Sequence, residues 1–196
     1  MTVAARLQPE RQKFQSDEAL VAACLKGNQQ AWAALVDKYK NLIYSIPIRL
    51  GMYDDAADIF QTVCLDLFSD LARLREPRAL PKWLMQTCYH KCLQYQRRAE
   101  KYIPLEDDDT DSSTENGATV LPEDLIAQLQ REQMVREVIS QLPPRCEQMI
   151  RMLFFESPPR PYEQIANELG LATGSIGFIR GRCLARMRKQ LEKMGF

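Results

Sequence analysis

Apolar residues along this chain recur at three- and four-residue spacing almost throughout, which is the period of helices with one buried face. Proline and glycine are sparse from Asp17 to Ile103, and the spacing predicts four helices there. Ser16 or Asp17 caps the first, with Leu20, Cys24 and Leu25 inward, and Gly27-Asn28 breaks it. The second runs from about Gln29 to Leu50, with Trp32, Leu35, Val36, Tyr39, Leu42, Ile43 and Ile46 inward. Pro47 bends it or ends its regular part, and Gly51 stops it. Asp54 or Asp55 opens the third, with Ala56, Ile59, Phe60, Val63, Leu67 and Leu71 inward. A proline-bracketed loop from Glu76 to Pro81 precedes the fourth, from about Lys82 to Tyr102.

Helical spacing resumes near Glu123, with Ile126, Leu129, Met134, Val138, Ile139 and Leu142 inward. Pro143-Pro144 interrupt it, and Arg145 to Phe155 predicts another helix. A stiff SPPRP stretch at 157–161 leads into YEQIANELGLATGSIGFIRGRCLARMR, from Tyr162 to Arg188. Within that stretch Glu163 to Leu169 predicts a short helix with Ile165, Ala166 and Leu169 inward. Gly170 supplies the residue past its end, where a positive φ costs least. Thr173 or Ser175 is expected to cap a second helix, whose stripe is Ile176, Ile179, Cys183, Met187 and Leu191. Most of its arginines fall off that stripe. A basic helix after a tight glycine turn is the pattern of a helix-turn-helix that addresses the DNA major groove; a surface helical hairpin with solvated arginines is the plainer alternative. No β pattern of useful length and no internal repeat appears, so the expected fold is all-α.

Between these halves lies PLEDDDTDSSTENGATVLP, 104–122, acidic and nearly free of large apolar side chains. It reads as a flexible linker between two small helical domains, 17–103 and 123–196. The 196 residues carry 26 Lys and Arg against 26 Asp and Glu, and this zero sum hides a pattern. Residues 75–101 hold seven bases against Glu76 and Glu100, 104–124 hold eight acids and no base, and 160–193 hold seven bases against Glu163, Glu168 and Glu192. Two basic blocks therefore present two faces suited to a polyanion.

No apolar run is long enough for a transmembrane helix. The N-terminus lacks the apolar core of a signal peptide, so a cytoplasmic protein without direct membrane insertion is expected. The six cysteines then read as reduced thiols, with Cys24, Cys64, Cys146 and Cys183 as small buried hydrophobes. Cys88, His90 and Cys92 offer metal-ligand chemistry, but on a helix the histidine points away from the two cysteines, and no second Cys/His cluster completes a tetrahedral site. A core cysteine pair with an exposed histidine is the reading preferred, with no metal and no cofactor. A single histidine, no glycine-rich phosphate loop and no paired carboxylates in a plausible pocket argue against an enzyme, so no catalytic residue is assigned.

Three segments, taken in order, resemble one family. DDAADIFQTVCLDLF at 54–68 is similar to the family's AEDLVQEVFLRLW type. PRALPKWLMQTCYHKCLQYQRR at 77–98 is similar to FRTWLYRIARNLALDYLRR around Trp83 and Arg97-Arg98. The third is LPPRCEQMIRMLFF at 142–155, followed by the helix-turn-helix. Together they resemble the extracytoplasmic-function (ECF) sigma factors of the sigma-70 superfamily, from about Asp17 onward. The resemblance implies sigma region 2 at 17–103, a variable linker, and sigma region 4 with its helix-turn-helix at 123–196. It implies a transcription initiation subunit that binds RNA polymerase core through the clamp of its largest subunits, recognises the −35 and −10 promoter elements as double-stranded and melted DNA, and assists melting. A partner anti-sigma factor is implied by resemblance alone. The alternative from the residues is a stand-alone helix-turn-helix transcription regulator.

The resemblance distributes the site residues as follows. Asp54, Asp55, Asp58, Gln61 and Thr62 match the polymerase-core-binding surface, and acids there also complement the helix dipole. Arg78, Lys82, Gln86, Lys91, Gln94, Arg97 and Arg98 match the −10 surface, where cations hold a single strand's backbone. Trp83 is read as core. The loop at 76–81 would capture an unstacked base of the non-template strand. At the −35 surface Ser175, Phe178, Arg180, Arg182 and Arg186 are the contacts. There the chain departs from the family's GTVKSRLSRAR: the usual Lys and Arg are Gly177 and Ile179. The acids of the linker are either mimics of RNA phosphates or a solvating tether.

Overall fold

The computed structural model describes residues 16–74, 76–101 and 121–196. The fold is all-α: eight α-helices and short 3₁₀ turns, with no strand, among the described residues. The chain divides into two units, Met1–Ile126 and Ala127–Phe196. The segment read as a linker lies almost wholly outside the described residues, as do the first fifteen residues.

The first unit is built on α1 (Asp17–Leu25), α2 (Gln29–Arg49), α3 (Ala56–Asp70) and α4 (Leu80–Lys101). Ser16 caps α1, its hydroxyl accepting from the Ala19 amide at 3.3 Å. Asn28 caps α2, its side-chain oxygen accepting from the Gln30 and Ala31 amides at 2.9 and 3.1 Å. Each cap satisfies amides that a helix start leaves without partners. The expected interruptions at Gly27 and Gly51 are left-handed turns, φ 78° and 76°. Pro47 neither ends nor leaves α2; it sits buried inside its last turn. The expected loop at 76–81 is shorter than predicted, because Pro77–Ala79 form a 3₁₀ turn and α4 starts at Leu80. Pro81 fits there because the first helical turn needs no amide donor from it.

Helix α2 is the centre of this unit, packing against α1, α3 and α4. Its Leu35, Tyr39, Leu42, Ile43 and Ile46 are buried, as are Ile59, Val63 and Leu67 of α3 and Leu80, Leu84, Met85, Cys88 and Cys92 of α4. The predicted inward set needs three adjustments. Val21 is buried in place of Leu25, which is exposed. Trp32 and Val36 are half-buried. Phe60 is also half-buried and stacks on Tyr44, ring centroids 4.6 Å apart. Two polar ties lock the helix order: Asp17 accepts from Lys38 and from the Tyr39 hydroxyl, each at 2.8 Å, and Lys91 of α4 pairs with Asp66 of α3 at 2.7 Å.

The second unit contains α6 (Pro144–Phe154), α7 (Tyr162–Leu169) and α8 (Ile176–Lys193), with most of α5 (Glu123–Ser140). One core cluster joins Met149 and Met152 of α6 to Ile165, Ala166 and Leu169 of α7 and Ile176 of α8. A second joins Ile139, Leu142, Ile150 and Cys183. On α5, Leu129, Val138 and Ile139 are buried as predicted, while Ile126 and Met134 are half-buried and Gln133 is buried without having been expected. Gly170 ends α7 at φ 62° and ψ 45°, the left-handed conformation the turn requires.

The expectation of reduced, unpaired thiols at Cys146 and Cys183 is corrected. The two are joined in a disulfide, with Cα atoms 5.5 Å apart. They face each other because α6 and α8 pack directly together, a contact between elements that spacing along the chain does not reveal. Cys88 and Cys92 form the expected core pair, the Cys88 thiol donating to the Ile43 carbonyl at 3.3 Å, and His90 is exposed. The neighbouring Cys92 sulfur, and then burial, push the Cys88 thiol far up.

Candidate polymerase and promoter surfaces

Helix α3 has two faces set by its period. Ala56, Ile59, Val63 and Leu67 turn inward. The opposite face carries Asp58, Gln61, Thr62, Leu65 and Phe68, placed together by three- and four-residue steps. Asp54 and Asp55 precede it, exposed, and Asp58 sits in its first turn. Leu65 and Phe68 are each 68 % exposed. The Phe68 ring leans on Trp32 at 5.2 Å, which fixes its direction without covering it. Sequence reasoning named the acids, Gln61 and Thr62 on this face and missed the two large apolar side chains. The signal was present: a helical wheel puts Leu65 and Phe68 opposite Ile59 and Val63. Large exposed apolar side chains rimmed by polar ones make this face a candidate docking surface.

Helix α4 brings together part of its expected set. Lys82, Gln86, His90 and Arg97 share one face, with Gln94 and Arg98 along its edge; all but the half-buried Gln86 are exposed. His90 was not among the expected contacts, although it shares that face. Lys91 lies near the edge with Arg98, half-buried and paired with Asp66. Trp83 is half-buried. Arg78, in the 3₁₀ turn before α4, donates through Nε to Glu18 Oε1 of α1 at 2.8 Å.

That bond first, then a backbone hydrogen bond and Ser16, hold the Glu18 carboxyl far below its ordinary 4.5, at about 2. A carboxylate depressed in the folded state adds stability above its ordinary value and loses it as pH falls through about 2. Following Glu18 by NMR should give a midpoint near 2, and Arg78→Ala should return it toward 4.5. A midpoint near 4.5 in the unaltered protein would show that the pair does not form in solution. Both side chains are open to solvent, where an ion pair contributes little to stability.

On the second unit the helix-turn-helix is assembled by α7, the turn at Gly170, a 3₁₀ turn at Thr173–Ser175, and α8. The expected side-chain cap is absent: neither Thr173 nor Ser175 accepts from α8. Ser175 is half-buried with helical backbone angles, and its hydroxyl instead donates to the Ala172 carbonyl at 2.7 Å. Ile176 and Cys183 are buried, with Ile179 and Met187 packed beside them. Phe178 and Arg182 turn away from that stripe and Arg186, further on, lies beside it; all three are exposed. Phe178 is 70 % exposed, and the Arg182 guanidinium stands 5.8 Å from its ring centroid. Arg180 lies to one side, donating to the Tyr162 hydroxyl of α7 at 2.6 Å. Tyr162 was not expected to orient an arginine, since the contact spans eighteen residues.

Gly174, Gly177 and Gly181 border this face, and a Cβ added at any of them meets nothing within 4 Å. The chain's own packing therefore does not require these glycines. No group of histidine, cysteine and carboxylate side chains suited to a metal ion occurs among the described residues. Nor is any described helix long and apolar enough to cross a membrane.

No family model matches the chain. Among known proteins it is similar to the ECF RNA polymerase sigma factor SigW of Bacillus subtilis (strain 168), at 27% identity over 127 residues, covering 61% of this chain and 68% of that protein. This distant similarity supports a relationship to the sigma-70 family.

Proposed function

We propose that this protein is an ECF-type sigma factor: it binds RNA polymerase core, brings it to promoters with particular −35 and −10 elements, and assists melting without catalysis of its own. The observation that carries this over a stand-alone regulator is the outer face of α3, where Leu65 and Phe68 lie open among Asp58, Gln61 and Thr62. The helix-turn-helix alone accounts for DNA reading, and this face adds a place for a protein partner. The similarity to SigW supports the same reading.

In this reading the two domains, 17–103 and 123–196, are sigma regions 2 and 4, joined by the acidic 104–122 segment, and the protein works in the cytoplasm. The face with Asp54, Asp55, Asp58, Gln61 and Thr62 meets the polymerase clamp, with Leu65 and Phe68 at its centre. Lys82, Gln86, Gln94, Arg97 and Arg98 track the melted −10 strand, with Arg78 exchanging Glu18 for phosphate. Lys91 takes part only if it leaves Asp66. On the −35 element, Phe178 and Arg182 enter the major groove together. An apolar ring suits a thymine methyl and an arginine suits a guanine edge, each good bidentate pair discriminating by about 1–3 kcal/mol. Arg186 and Arg180 are placed for phosphates, which position without specifying; Ser175 contributes only after releasing Ala172. A partner anti-sigma factor belongs to the same proposal.

The glycines supply a separate check. Gly177→Ala should stabilise α8 by roughly 1 kcal/mol on helix propensity. If the backbone approaches DNA there, affinity for promoter duplex should fall although stability rises. Unchanged affinity would dismiss close backbone approach.

The decisive experiment is run-off transcription by purified core polymerase on genomic promoter fragments, with and without the protein. Start sites that depend on the protein are expected, and their alignment yields both promoter elements. Absence of new transcripts together with absence of core binding would favour the stand-alone regulator.

A further inference from the structure

Cys146 and Cys183 are 37 residues apart in sequence and joined in space. Cys146 lies in the first turn of α6, half-buried; Cys183 lies in the middle of α8, 1% exposed. The span between them holds the rest of α6, all of α7, the turn at Gly170 and the first half of α8. The bridge therefore closes a ring around α7, the turn and the first half of α8. Their Cα separation of 5.5 Å falls within the range that a disulfide spans without backbone movement. Burial lifts the Cys24 thiol to about 11 and raises that of Cys64, which keeps both protonated and poorly nucleophilic.

We propose that Cys146 and Cys183 form a reversible thiol–disulfide site that sets the rigidity of the helix-turn-helix. The oxidant is a low-molecular-weight disulfide, RSSR. The more accessible Cys146, as thiolate, attacks one sulfur of RSSR, and the released RS⁻ takes up a proton in place of the one Cys146 gave up. The Cys183 thiolate, its proton released to solvent, then attacks the Cys146 sulfur, the S–S bond from that sulfur to SR breaks, and a second RS⁻ leaves and is protonated. Two protein thiols and RSSR thus become one protein disulfide and two RSH, the protein giving up two electrons and two protons. Excess RSH reverses both steps.

Closing the ring restricts the unfolded chain far more than the folded one. It also fastens α8 to α6 at Cys183, next to Arg182. Cys183 faces the core while Phe178 and Arg182 face outward, so the bridge leaves the outer face of α8 bare. The oxidised form is the stabilised one and remains competent to bind DNA. Only that last consequence rests on the function proposed above; the thiol chemistry does not.

The test uses the full-length protein held in oxidised or in reduced glutathione. After oxidation, mass spectrometry of alkylated peptides should find Cys146 linked to Cys183. Amide hydrogen exchange across α6, α7 and α8 should slow by about tenfold or more relative to the reduced protein. Cys146→Ser should exchange equally under both conditions, and the comparison of the two wild-type states needs no variant. No linked peptide from the folded protein, or a link with unchanged exchange, would overturn the proposal. A negative transcription assay would leave both measurements intact, so the two readings fail separately.

Discussion

Truncation of Leu65 and Phe68 together to alanine is expected to weaken binding to RNA polymerase core by about a hundredfold or more. Buried apolar anchors at the centre of an interface commonly cost about 2 kcal/mol or more each when truncated, and 1.4 kcal/mol is roughly a factor of ten. Both side chains are largely exposed, so the folded protein loses little by their removal, and alanine favours the helix. The contact of Phe68 with Trp32 is lost with the ring. Circular dichroism should therefore show unchanged helicity while titration of labelled core shows the loss. Asp58→Ala should have a smaller effect and act mainly on the association rate, as rim charges do. Core affinity that survives the double truncation would remove the α3 face from the polymerase interface.

The second large effect is on stability. Leu35→Ala should cost the first unit about 2–5 kcal/mol, the range for a fully buried leucine whose surroundings cannot collapse. Leu35 has no exposed surface and lies on the face of α2, the helix that packs against α1, α3 and α4. Trp32 and Trp83, the two tryptophans of the chain, both lie in this unit, so their fluorescence reports its unfolding alone. With a urea dependence of about 1–3 kcal/mol per molar, the midpoint should fall by roughly 1–3 M. An unchanged midpoint would mean that α2 is not the centre of the core.

The helices and their inner faces were legible in the sequence because their period is local. Leu35, Tyr39, Leu42, Ile43 and Ile46 announce α2 by spacing alone, and Gly170 marks the turn because few other residues tolerate its left-handed backbone. The misplacements fall at helix ends and margins. Leu25 follows the periodic run of α1 but is the helix's last residue and remains exposed. Ser175 has the right chemistry for a cap, yet a 3₁₀ turn directs its hydroxyl to Ala172. At the candidate site, the basic and acidic residues were named by type and position. Their present engagements were not: Arg78 holds Glu18, Lys91 holds Asp66, and Arg180 holds the Tyr162 hydroxyl.

By itself, then, the sequence determined what repeats within one helix: an all-α chain, the stripes that face inward, and a glycine turn before a basic helix. These follow from bond geometry and from the 3.6-residue period, which act over a few residues. The tertiary structure alone decided that Arg78 holds Glu18, that Lys91 holds Asp66, that Arg180 holds the Tyr162 hydroxyl, and that Cys146 meets Cys183. Each of these depends on how helices remote in sequence cross. Crossing is set by the packing of whole side-chain surfaces, and the spacing along a single helix carries no record of it.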